Sequence, residues 1–60
     1  MMRPETIEKK LMADGFDKRF SHQAVTWFLR RFSDDFRRAV KDPVKMIKDN
    51  EYAVRNWFSR

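Results

Sequence analysis

The sequence predicts an all-α fold: a compact three-helix bundle, or a helix-turn-helix variant with a lengthened turn. Apolar residues recur at three- and four-residue intervals in three segments, first at Ile7 and Leu11, then from Val25 to Val40, then from Val44 to Phe58. Residues that stop or start helices stand between them, namely Gly15, Ser21 and the pair Asp42-Pro43. The β-branched residues are scattered through these periods instead of alternating, and Asp14-Gly15 follows a helical stripe, so no hairpin is signalled.

The first helix is expected over about 4–14. Pro4 suits a first helical position because its φ is fixed, and Glu5 and Glu8 complement the positive end of the helix dipole. Ile7 and Leu11 form its narrow apolar stripe, widened by Met12, and Gly15 ends it by reaching the left-handed conformation. Phe16 to Phe20 then form a connector whose two rings are expected to tuck under the core.

The second helix is expected over 21–41, with Ser21 as N-cap and Phe20 and Val25 as a hydrophobic staple. It has two faces. Val25, Phe28, Leu29, Phe32, Phe36 and Val40 make an apolar row for the core, whereas Gln23, Thr26, Arg30, Ser33 and Arg37 make a polar one. Ser33-Asp34-Asp35 is the weak point of the row, since a serine followed by two aspartates also opens a helix. Asp42 and Pro43 fit N-cap and first position of a third helix, over about 43–58. Its stripe is Val44, Ile47, Val54 and Phe58, with Glu51 in the middle and Asn50 as a point of bending.

Sixty residues make a single domain, 1–60, and a chain this short buries only about 60% of the surface exposed when unfolded. Without cysteine there is no disulfide, and one histidine cannot assemble a usual structural zinc site. Aromatic burial is the remaining resource. Six Phe, two Trp and one Tyr are present, and each such ring buries roughly 150–250 Å². The N-terminal residues lack a secretory apolar stretch and the longest nearly apolar run, Ala24 to Leu29, is too short to span a bilayer, so a cytoplasmic protein without membrane attachment is expected.

Fourteen Lys and Arg against nine Asp and Glu give a net charge of +5, which favours polyanionic partners. From Arg30 to Lys48 seven basic residues stand against three acidic ones. Catalysis is not expected, because adjacent Ser21 and His22, like adjacent Asp34 and Asp35, diverge by about 100° on a helix. With a single glycine there is no phosphate-cradling loop, and neither a cofactor nor a metal is implied.

The pattern points first to nucleic acid, with double-stranded DNA as the expected target of an accessory or regulatory protein. Gln23 suits adenine, Arg30 guanine and Thr26 a thymine methyl, while Arg31, Arg37 and Arg38 suit the phosphate backbone, continued by Lys41, Lys45 and Lys48. The order Leu11, Gly15, Ser21, Val25 and Phe28 resembles that of helix-turn-helix proteins, in which a helix ends at glycine and a serine opens the next. The resemblance covers about a third of the chain, and five residues between Gly15 and Ser21 would lengthen the turn. Asp34 and Asp35 lie three or four residues from several of these arginines and would blunt the patch, and Gln23, Thr26, Arg30, Ser33 and Arg37 equally fit the plain solvated face that a surface helix carries.

The competing expectation is a non-enzymatic protein-interaction module, a homodimer or the ligand of an acidic protein surface. It would use Trp27, on the border between the two faces of the second helix, together with Trp57 and Phe58 at the exit of the third, whereas the favoured place of each Trp is the rim of the core.

Overall fold

The computed structural model describes residues 2–59, and its regular elements are all helical. Five helices follow in order: α1 (Pro4–Ala13), α2 (Lys18–Arg31), α3 (Asp34–Ala39), α4 (Pro43–Asp49) and α5 (Glu51–Phe58). The second and third helices expected from periodicity are thus each divided in two. α2 also begins three residues earlier than expected.

α1 ends as its sequence dictates. Gly15 has φ +105°, and the amides of Gly15 and Phe16 donate to the carbonyls of Met12 and Leu11 at 3.0 and 3.1 Å. The cap of α2 is Asp17, whose carboxylate accepts from the Phe20 amide at 2.7 Å, and not Ser21. Asp caps as well as Ser and stands nearer to the glycine stop, so the helix starts at the first good cap. Ser21 lies fully buried inside the helix, its hydroxyl donating to the Asp17 carbonyl at 2.8 Å. The Phe20–Val25 staple gives way to a stack of Phe16 on Phe20, with centroids 4.9 Å apart.

The break after Arg31 has two causes. Ser33 caps α3 by accepting from the Phe36 amide at 3.2 Å, with Asp34 and Asp35 in the first turn. Arg37 meanwhile folds back so that Nη1 donates to the carbonyls of Leu29 and Phe32, at 2.8 and 2.6 Å, satisfying acceptors that the end of α2 leaves unpaired. Because of this turn, Leu29 and Phe36 are exposed instead of extending the apolar row into the core. The second break is at Asn50, whose side-chain amide donates to the Met46 carbonyl at 2.7 Å; asparagine competes locally with the helical ladder. Asp42 caps α4 through the Lys45 amide at 3.0 Å, as its position before Pro43 requires.

α2 is the axis of the molecule. α1 packs along one side of it and α5 along another, while α4 covers α1 and meets α5. Ile7, Leu11, Phe20, Ala24, Val25, Trp27, Phe28, Val44, Ile47 and Val54 form one buried cluster. α3 contributes no buried residue, and it is held by a Phe32–Phe36 stack at 4.7 Å and by Arg37.

Candidate nucleic-acid interface

α2 carries Lys18, Arg19, Arg30 and Arg31 and no Asp or Glu, whereas every other helix contains at least one. Arg19, Gln23, Thr26 and Arg30 follow at four-, three- and four-residue steps and so share the face left open between α1 and α5. The two arginines are exposed, and Gln23 and Thr26 sit half-buried between the flanking helices. Gln23 lines a shallow groove against the end of α5 with Arg19, Arg55 and Phe58. Arg55 is held there by Glu51 at 2.9 Å and by the Phe20 ring 4.4 Å beneath its guanidinium. Thr26 lines the opposite groove, beside His22 and Leu29 of α2 and across from Glu8 of α1, and its hydroxyl donates to the His22 carbonyl at 3.1 Å.

The other expected basic residues are dispersed. Arg37 is turned inward as a cap, and its guanidinium also meets Asp34 at 3.3 Å. Arg38 pairs with the same carboxylate at 3.0 Å. Asp34 thereby neutralises the α3 arginines and leaves Arg30 and Arg31 free of ion pairs among the described residues. Lys48 pairs with Asp14, the residue that follows α1, at 3.0 Å and Lys45 with Asp49 at 2.8 Å, and both line a groove of α1 and α4 rather than the α2 face. The hydrogen bond that Lys45 donates to Asp49, reinforced by the charges of Asp49 and Asp42, raises the Lys45 pKa above the ordinary lysine value. Lys41 is exposed between α3 and α4.

The aromatic residues separate as well. Trp27, which the interaction-module reading needs as an exposed anchor and the core reading places at the rim, is only 4% exposed, because α5 covers the border of α2 on which it stands; it meets Phe32 edge-on at 5.2 Å. Trp57 is half-buried and Phe58 exposed, in edge contact with each other at 4.9 Å. Trp57 faces a groove between the C-terminal part of α2 and the length of α5, walled by Phe32 and rimmed by Arg31, Asn50 and Asn56.

Sequence reading missed Arg19, Arg55, Phe32, Asn50 and Asn56 as members of these surfaces. Arg19 was within reach, since extending the polar stripe one turn back from Gln23 finds it once Asp17 is recognised as the cap. Arg55 and the two asparagines lie on another helix, and no local pattern pairs them with α2.

No protein-family model matches the chain, and neither a curated protein nor a solved structure is significantly similar to it. Among the described residues no helix is long and apolar enough to cross a membrane, and no group of three or more His, Asp or Glu is gathered to hold a metal.

Proposed function

We propose that this protein is a small, non-enzymatic nucleic-acid-binding factor, accessory or regulatory in role and cytoplasmic, which lays the open face of α2 against the phosphate backbone of DNA. The observation that carries the reading is the acid-free α2, with four cations on fourteen residues while the cations of α3, α4 and α5 are largely consumed by neighbouring carboxylates. In the helix-turn-helix form of this reading, α1 and α2 are the positioning and recognition helices, joined through Asp14 to Asp17. Recessed Gln23 and Thr26 favour backbone contact over deep reading of base edges, so weak sequence preference is expected.

Titration of a duplex oligonucleotide against salt tests the proposal. Two phosphate contacts, from Arg19 and Arg30, give a slope of log K on log salt near about −1.8, at roughly 0.9 per phosphate. Arg19→Glu with Arg30→Glu abolishes binding at low salt with the circular-dichroism spectrum unchanged, whereas Lys45→Gln with Lys48→Gln leaves most of it. Duplex binding that survives reversal of Arg19 and Arg30 would rule out this face.

A second reading, a protein-interaction module, rests on Phe36 and Phe58, which stay exposed at 44% and 37%. A homodimer built on those rings gives a concentration-dependent sedimentation coefficient that Phe36→Ser with Phe58→Ser removes.

A further inference from the structure

Of the four principal grooves, three contain carboxylates: Asp17 in one, Asp14 and Asp42 in another, Glu5 and Glu8 in the third. The fourth, between the C-terminal part of α2 and the length of α5, contains none among the described residues. Its apolar surface includes the rings of Phe32 and Trp57, its rim holds the side-chain amides of Asn50 and Asn56, and its charge is the Arg31 guanidinium. Asn50 donates one amide N–H to the Met46 carbonyl and keeps its side-chain oxygen without a protein donor among the described residues, while Asn56 is exposed with both donor and acceptor free of protein partners among the described residues. Arg31 has no carboxylate partner among the described residues, and it lies 5.4 Å from the Phe32 centroid, as a cation held over a ring.

These features select a ligand. Flat aromatic surface asks for a π-face, amides ask for an edge with donors and acceptors together, and a lone guanidinium with no acid nearby asks for one negative charge. An unpaired nucleobase carrying its phosphate has all three, whereas a base inside a duplex offers its face to neither ring. The size agrees, since a cavity of about 300 Å³ is at the lower end for small-ligand sites and accepts a single base rather than a base pair. Arg31 is also the neighbour in sequence of Arg30, so a strand whose backbone runs along the open face of α2 reaches this groove within one helical step.

We infer that the groove formed by Phe32, Trp57, Asn50, Asn56 and Arg31 takes one unpaired base of a single-stranded nucleic acid, with Arg31 on the adjoining phosphate. The inference rests on the nucleic-acid reading of α2 and deepens it by naming the form of the ligand: a single strand, or a duplex with a single-stranded overhang. Base stacking on Trp57 is the source of preference for the unpaired strand, and α2 supplies the charge common to both forms.

The test compares binding of a twelve-nucleotide oligo(dT) with that of a blunt twelve-base-pair duplex at equal salt, followed by intrinsic tryptophan fluorescence and anisotropy. Oligo(dT) is expected to quench Trp57 and to bind about tenfold more tightly than the duplex after allowance for charge, within the range of stacking contributions. Trp57→Ala should remove that preference while leaving duplex affinity unchanged. Because Trp57 packs partly on the core, Ala53→Glu is the second variant: it places a carboxylate at an exposed helical position lining the acid-free groove, and should reduce oligo(dT) affinity at least fivefold with no change in the duplex. Equal affinity for the two forms, or an Ala53→Glu variant that binds oligo(dT) as the parent does, overturns the groove assignment while the α2 reading stands. Failure of the parent protein to bind either form overturns both.

Discussion

The two halves of the chain solve the problem of helix stability in different ways. α1 and α2 are ten and fourteen residues long and supply seven of the ten residues in the buried apolar cluster, from Ile7 to Phe28. α3, α4 and α5 are six to eight residues long and supply three, Val44, Ile47 and Val54. Isolated helices that short do not persist in water, and a small share of the core gives them little support. The second half compensates locally, through the Ser33 and Asp42 caps, the Arg37 clamp, and the i,i+4 pairs Lys45–Asp49 and Arg55–Glu51. The difference has a functional consequence. Carboxylates spent on holding short helices neutralise the cations beside them, while the long helix, held by packing, keeps its arginines free.

The largest expected effect tests the packing side of this contrast. Phe28 is fully buried, so Phe28→Ala should cost about 3–5 kcal/mol, enough to unfold most of a domain this small. Val40→Ala, at a half-buried position after α3, should cost much less, and thermal melts followed at 222 nm compare the two. Equal losses would mean that the second half carries as much of the core as the first.

Arg37→Ala comes next and sharpens the boundary between the halves. It removes two charge-assisted bonds to the carbonyls ending α2, and a loss of about 1–3 kcal/mol is expected. Arg37 Nε is itself buried without a partner, which offsets part of the gain, so the upper end of that range would show that the clamp dominates. Asp17→Ala should cost about 1 kcal/mol by removing the α2 cap. Amide exchange should then quicken at Phe20 but not at Phe36, whose cap is Ser33. The smallest effect is expected from Lys45→Gln, at an exposed pair of the second half, where water screens the attraction and the melting temperature should hardly move. A larger loss there would mean that surface pairs, and not only caps, sustain the short helices.

Gly15→Ala bears on a feature legible directly in the sequence. Nothing lies within 4 Å of an added Cβ, so the expected cost of about 1–2 kcal/mol is that of the left-handed backbone alone. The stop at Gly15, the start at Asp42-Pro43 and most of the apolar positions were likewise readable, because each follows from the geometry of one residue or from spacing within one turn. The start of α2 was legible in principle, through Asp17, but the equally good cap at Ser21 masked it. The break at Ser33 was readable as one of two outcomes, and the local pattern could not choose between them.

By itself the sequence determined that the chain is helical, that its apolar residues repeat at helical spacing, and that basic charge gathers around the second helical segment, since these depend on residue type and short-range periodicity. Tertiary structure decided which charges remain available and which rings remain accessible. Whether Arg37 is a ligand-facing cation or a cap depends on where the chain turns after Phe32, and whether Trp27 is an anchor or core depends on α5 returning across α2. Both are contacts between residues distant in helical register or in sequence, and their energies enter only when the helices pack.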